Sequence, residues 1–525
     1  MQMRALLTRD WPWALGMAVL VVAAYGPVWH AGFVWDDDAH LTENPCIAGG
    51  LGFAGIWTTA AATYYPLVLS TWWLGHALWG MSPLAFHLLN VACHAANAVL
   101  LWRVLRRLAV PGAWVGAALW ALHPVQVESV AWVTELKNTQ SAFFYLLSAL
   151  AFLRWMENRR GSSYALSLGC ALGAVLSKSS TVMLPAALGL CCWWRQGRAD
   201  WRMIARALWP FVGIAMAVSA WTVWEQKFHS GALGAAWDQT WPQRVIIAGR
   251  DVWFYLEKLA WPARLTFIYP RWQVDAAQPR EWLPPLAVLA GVALVWWKRE
   301  TWARPCFFAL AYFVTLLFPV LGFFSVYFFL YSFVGDHFAY LAAMSPLALT
   351  GAGMMRLPEV FRGARVAICT ALLVTLGAMS WTRTQVFASD EALWADTLAK
   401  NPACWLGQNN LGFELFKAGE AQAGIAHLQK ALELRPDYPD ALNNLGLVFY
   451  QIGGKDKAVA LWKRVIALDG HFAIARNNLA LALFEAGRRE EAIAEWRKAL
   501  EIKPDYADAR RNLDMVLGHR NISPQ

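Results

Sequence analysis

The sequence predicts an all-α chain: a polytopic helical membrane domain of about 11 transmembrane helices followed by a stacked-helix solenoid. Three observations lead there. Hydrophobic residues make up 58% of the 525 residues and charged residues only 15%, far from the balance of a soluble domain. Apolar runs approaching the roughly 20 residues that a hydrocarbon core requires recur as far as residue 381. From residue 389 those runs stop and a motif with a period of 34 begins. Disorder, a coiled-coil rod and a collagen-like chain are excluded by the same composition.

Charge follows this division. From Asp390 onward 17 Lys and Arg face 18 Asp and Glu, which leaves 28 and 18 of the totals of 45 and 36 in the apolar part. The net charge of +9 therefore belongs to the membrane region, where Lys and Arg collect on the cytoplasmic side, and does not point to nucleic acid. The 33 Trp residues fit membrane–water boundaries. Eight Cys show no CxxC pair; most sit in apolar runs as small hydrophobes.

The first crossing, Trp11 to Trp29, follows Arg4 and Arg9 and lacks a small-residue cleavage site, so a retained helix is expected. Further crossings are expected near 84–102, 113–133, 139–155, 163–177, 181–194, 207–224, 283–297, 305–330, 338–355 and 364–381. Basic clusters fall at every second junction: Arg4/Arg9, Arg103/Arg106/Arg107, Arg154/Arg159/Arg160, Arg195/Arg198/Arg202/Arg206, Lys298/Arg299/Arg304 and Arg356/Arg362/Arg365. The stretch from His30 to Pro83 has no Lys or Arg. The positive-inside rule then puts the N-terminus in the cytoplasm and everything beyond about residue 382 outside it. External loops are expected at about 30–83 and 225–282, and the charged, Trp-rich stretch 241–269 within the second is expected to lie at the outer interface. The membrane domain so defined covers 1–388.

In the tail, Asn410-Leu411-Gly412, Asn444-Leu445-Gly446, Asn478-Leu479-Ala480 and Asn512-Leu513 recur every 34 residues. Pro402, Pro436 and Pro504 share the lattice, as do the pairs Ala458/Ala492 and Trp462/Trp496. This pattern resembles the tetratricopeptide repeat (TPR), in which helix pairs stack because none can bury its apolar face alone. Within 389–525 the expected units are a half repeat at 389–402, repeats at 405–438, 439–472 and 473–506, and a capping helix at 507–519. Such an array implies a groove for a protein or peptide; a purely structural cap is the alternative.

Candidate chemistry begins directly after the first helix, at Phe33-Val34-Trp35-Asp36-Asp37-Asp38-Ala39-His40. Adjacent carboxylates without a nearby basic residue repel one another, which raises a carboxyl pKa and suits a general base. Lys178, between two apolar runs, is expensive against lipid; it either snorkels or meets an anion. Arg250 and Lys258 on the interfacial stretch are further phosphate candidates. Glu128 is expected to line a cavity, with His123 beside Pro124 turned toward it or packed, and Asp336-His337 add an acid and an imidazole on the outer side. The stripe His87, Asn90, His94 and Asn97 reads as interhelix hydrogen bonding. No Gly-rich phosphate loop or zinc spacing occurs.

Phe-x-x-Asp-Asp after the first helix, then Asn44-Pro45, resembles the first external loop of the GT-C glycosyltransferases. Tyr65-Pro66-Leu67, Phe86-His87, the run from His123 to Trp132 followed by Lys137, Ser177-Lys178-Ser179, Trp253-Phe254-Tyr255-Leu256 and Asp336-His337-Phe338 extend the similarity. It is specifically similar to the transmembrane-and-TPR O-mannosyltransferases and their bacterial relatives. The resemblance implies a polyprenyl-phosphate-linked sugar as donor and a protein or glycan hydroxyl as acceptor, on the extracytoplasmic face of what would be a bacterial inner membrane. Asp36 and Asp37 match the family's acidic pair, one as base and the other as positioner. Tyr65, Gln126, Leu136 and Asn138 stand where many relatives carry other residues, so the sugar and lipid are not carried over. The expectation leaves a divalent cation open as cofactor. Two other readings remain, an O-antigen-type oligosaccharide ligase or polymerase and a non-catalytic membrane-anchored TPR scaffold. An arginine-free first loop argues against the former, and multiple crossings with a buried Glu and Lys against the latter.

Overall fold

The computed structural model describes residues 2–59, 65–196, 201–228, 231–232, 234 and 236–518, and among these every regular element is helical. Arg198 of the fourth basic cluster, parts of both expected external loops (60–64, 229, 230, 233 and 235) and His519 of the capping helix lie outside the described residues. The chain divides into two compact units, Met1–Leu393 and Trp394–Gln525.

In the first unit, three helices are long and apolar enough to cross a membrane: Pro83–Arg107, Trp201–Phe228 and Glu359–Ala388. Asp10–Ala24, Gly161–Ser177 and Arg304–Val320 are shorter apolar helices. Of the other expected crossings, 139–155, 163–177 and 283–297 are each one continuous helix (Leu136–Asn158, Gly161–Ser177 and Leu283–Trp297), whereas three others are interrupted. The run 113–133 is α-helical only over Ala113–Ala121 and Val127–Ala131, with a 3₁₀ turn at Pro124–Gln126 between them, because Pro124 cannot continue the helix and disfavours helical backbone at His123. The run 305–330 is an α-helix only over Arg304–Leu317, and 338–355 only over Met344–Met355.

Broken helices leave backbone carbonyls without partners, and nonpolar surroundings make that costly. The polar stripe on Pro83–Arg107 supplies those partners. Asn90 Nδ2 donates to Trp132 O (3.0 Å), the His94 ring bonds Ala121 O (2.9 Å), and Asn97 Nδ2 donates to Thr139 O (2.8 Å). His87 meets Gly32 O (3.0 Å), and Ser380 Oγ donates to Leu122 O (2.8 Å). All four stripe residues are fully buried. The stripe therefore stitches the helix to the chain breaks around it and, through Thr139, to helix Leu136–Asn158, as interhelix hydrogen bonding requires.

Helices Ala113–Ala121 and Met344–Met355 meet at their backbones. A Cβ at Gly351 would lie 2.6 Å from Gly116 N, so only small residues allow the approach. Trp241–Ala260 is a 20-residue helix started by a Thr240/Gln243 capping box and Pro242. Ile246, Ile247, Asp251, Val252 and Tyr255 form its buried side, whereas Trp241 and Trp253 are exposed.

The second unit is a helix-pair array: Trp405–Lys417 with Ala421–Leu434, Pro439–Gln451 with Lys455–Leu468, and Ala473–Glu485 with Arg489–Ile502, closed by Ala507–Gly518. The residues on the 34-residue lattice are those that touch. Trp462 and Trp496 are 1% exposed, Ala458 and Ala492 fully buried. A Cβ at Gly446 would lie 2.7 Å from Trp462 Nε1, which is why a glycine precedes the aromatic's pocket.

Candidate functional site

The segment after the first helix is held in an unusual shape. Trp35 has φ +50°, the left-handed region that an aromatic residue rarely occupies. Its N–H donates to Asp390 Oδ1 (2.8 Å) and its ring stacks on Trp132 at 5.4 Å, so surrounding contacts hold the strain. The turn separates the fates of the three aspartates that follow.

Asp37 is fully buried and saturated: Oδ2 accepts from Val34 N–H (2.9 Å), and Oδ1 from Thr134 N–H (2.7 Å) and Thr134 Oγ1 (2.5 Å). Burial pushes its carboxyl up to about 7, against the pull of those Thr134 and Val34 donors and with added repulsion from Asp36. Asp36 differs. Its Oδ2 lies 3.1 Å from His40 Nε2, one helical turn on, while its Oδ1 is buried with no hydrogen-bond partner. His40 is fixed from behind by the Tyr65 hydroxyl, 2.6 Å from Nδ1. Asp38 is exposed and accepts from Thr42 Oγ1 (2.9 Å).

Asp37 ties this loop to the turn Val133–Glu135, and that turn carries the anion that gathers two cations. Glu135, 2% exposed, bridges Lys178 (2.9 Å) and Lys137 (3.6 Å). Lys137 Nζ also lies 5.0 Å over the Tyr65 ring and 5.8 Å over Trp132. Burial by itself would raise the Glu135 carboxyl, but the two ammonium groups outweigh it and hold it at about 2. Burial lowers the Lys178 ammonium against the opposing pull of Glu135. Contacts thus run from Asp36 through His40 and Tyr65 to Lys137, Glu135 and Lys178.

Behind Trp132 lies a second acidic group. Glu128 Oε1 is 2.5 Å from His337 Nδ1, and its Oε2 is buried without a partner. Asp336 Oδ1 accepts from the Tyr269 hydroxyl (2.8 Å), and Lys258 Nζ sits 5.9 Å over that Tyr269 ring. His337 meets the Trp132 edge at 6.1 Å, which joins the two groups. Arg383, 7% exposed, lies close enough to act on the Glu128 charge.

Two expected site residues are taken up elsewhere. The His123 ring bonds Leu259 O (3.1 Å) and accepts from Val125 N–H (3.3 Å), so both nitrogens serve the chain break. Arg250 pairs with Glu281 and covers Trp272 at 5.8 Å, bracing the loop beyond its helix. Among the described residues no group of three or more His, Cys, Asp or Glu is placed to hold a metal.

His40, Glu135 and Arg383 join the cluster without having been proposed as site residues from the sequence, and Tyr65 and Lys137 entered there only through the resemblance. His40 was within reach, since i and i+4 on one turn face each other, and it follows Asp36 by four. Glu135 carried no signal, because its partner Lys178 lies 43 residues on.

Residues 412–453 and 480–513 match the family model described as TPR repeat. A protein O-mannosyl-transferase of Drosophila melanogaster, Tmtc1, is 31% identical over 189 residues, 34% of this chain and 22% of that protein. The chain resembles the TMTC O-mannosyl-transferases. A second such relative, TMTC2 of Mus musculus, is 28% identical over 155 residues, 27% of this chain and 18% of that protein. The chain therefore spans about a fifth of the length of the O-mannosyl-transferases it matches. Among solved structures, MamA is 22% identical over 28% of this chain and 84% of that one, with a TM-score of 0.24.

Proposed function

We propose that the chain is a membrane glycosyltransferase that moves a sugar from a polyprenyl-phosphate-linked donor to a hydroxyl of a protein or glycan acceptor on the extracytoplasmic side of a bacterial inner membrane. One observation carries this reading: Asp36 is gripped through Oδ2 by His40 while Oδ1 is buried and unpartnered. An oxygen so presented suits the removal of a proton from an incoming hydroxyl.

In the proposed step the acceptor oxygen attacks the anomeric carbon, and the bond from that carbon to the phosphate oxygen breaks. The bonding pair leaves with the lipid phosphate, and the hydroxyl proton passes to Asp36 Oδ1. Asp37, saturated by its donors, acts as the positioner that pins the loop to the Val133–Glu135 turn. Lys137 and Lys178, aligned by Glu135, would face the charge developing on the departing phosphate. Glu128, His337 and Asp336 would receive sugar or acceptor hydroxyls, with Lys258 as a further cation nearby. The repeats would present protein acceptors. The names of the relatives make mannose the first sugar to try.

The test is transfer from a polyprenyl-phosphate-mannose to an acceptor peptide by the full chain in liposomes. Replacing a general base removes about 10²–10⁴-fold of rate, and Asp36→Asn is expected to fall in that range. Full transfer by a folded Asp36→Asn variant would sink the proposal. Preference for an oligosaccharide donor over a single sugar would favour a ligase instead.

A further inference from the structure

The end of the first unit that carries the basic clusters contains a cavity that shares no residue with the site above. It measures about 250 Å³ and lies among helices Pro83–Arg107, Leu136–Asn158, Leu184–Gln196, Arg304–Leu317 and Met344–Met355. Leu105, Tyr145, Ala187, Phe308 and Leu349 contribute to its wall, and Arg356 stands at its edge. Along Pro83–Arg107 it is about 20 Å from Asn90, which bonds the turn of the proposed site, at 1.5 Å per residue.

The wall has little to offer a polar guest. The Tyr145 and Tyr312 hydroxyls are bonded to each other (3.0 Å), and Ser345 Oγ donates to Ala309 O (2.8 Å). An apolar cavity of this kind does not hold water well, so in a bilayer it is open to a hydrocarbon chain. Several cations at this end are already committed. Arg106 pairs with Asp10, Arg107 and Arg195 share Glu157, and Arg304 donates to the Trp193 and Trp194 carbonyls. The Arg356 guanidinium, exposed, makes no hydrogen bond or ion pair among the described residues. An apolar slot with an uncommitted cation at its edge matches a molecule with an acyl chain and an anionic headgroup.

We propose that this cavity binds one anionic phospholipid, with an acyl chain in the slot and the headgroup phosphate on Arg356. The proposal does not depend on the glycosyltransferase reading. It is tested by native mass spectrometry of the full chain in mild detergent, with phosphatidylglycerol and phosphatidylethanolamine added at equal concentration. Wild type is expected to retain one phosphatidylglycerol in preference to phosphatidylethanolamine. Arg356→Gln should lose about fivefold of that binding, the contribution of one basic residue at an anionic surface. Ala187→Phe, which fills the slot, should abolish retention of both lipids; if it fails to fold, Arg356→Gln carries the test alone. Equal retention of the two lipids, an unchanged Arg356→Gln, or a polyprenyl phosphate as the retained molecule would overturn the proposal.

Discussion

Replacing Glu135 by Gln keeps the shape of the side chain and removes its charge, leaving Lys178 and Lys137 buried without their shared anion. The cost can be worked from the geometry. The carboxylate sits 2.9 Å from Lys178 and 3.6 Å from Lys137, at 2% exposure, and is held at about 2 against the ordinary 4.5. That difference corresponds to about 3 kcal/mol, and breaking a buried pair by deleting one partner costs about 3–5 kcal/mol. Glu135→Gln should therefore destabilise the first unit by roughly 3–4 kcal/mol. The assay is unfolding in mixed detergent and SDS micelles, with Lys178→Gln and the double variant completing a thermodynamic cycle. A double variant no worse than either single one gives the coupling directly. The pH dependence has a definite sign. A carboxyl lowered on folding contributes stability that is fully present above about 4.5 and is lost as the pH falls through about 2. Wild type should weaken across that window, and Glu135→Gln should not. Additive single variants, with no difference in acid sensitivity, would refute the assignment of Glu135 as the common counter-ion.

Asp37→Ala strands the Val34 and Thr134 donors and should cost about 2–4 kcal/mol in the same unfolding assay, whereas Asp36→Asn should leave stability within about 1 kcal/mol of wild type. His40→Ala should lower kcat about tenfold with little change in KM, because it orients Asp36 rather than touching the donor; a change confined to KM would contradict that role. Gly446→Val drives a side chain into Trp462 and should lower the melting temperature of the repeats, read by circular dichroism of the full chain, at a cost of about 1–3 kcal/mol.

Much of the fold is legible because it is local. The lattice of Asn, Gly, Pro and Trp spaced by 34 residues states the repeats outright, since each unit must bury the same face against its neighbour. The stripe at 87, 90, 94 and 97 likewise declares one helical face. What a hydropathy window cannot register is a chain break inside an apolar run, and 113–133 reads as one crossing although Pro124 divides it. Candidate residues are legible as chemistry without partners. Asp36 and Asp37 look alike in sequence, yet one is saturated by three donors and the other keeps a bare oxygen.

Composition and period alone establish a helical membrane chain with a repeat array, because burial of apolar faces at helical spacing leaves few other outcomes. The pairing of Lys178 with Glu135 and of His337 with Glu128, and the diversion of His123 and Arg250 to brace the backbone, belong to tertiary structure. Those contacts lie 31 to 209 residues apart in the chain. A buried charge takes whichever opposite charge folding brings beside it, and spacing along the sequence carries no record of that neighbour.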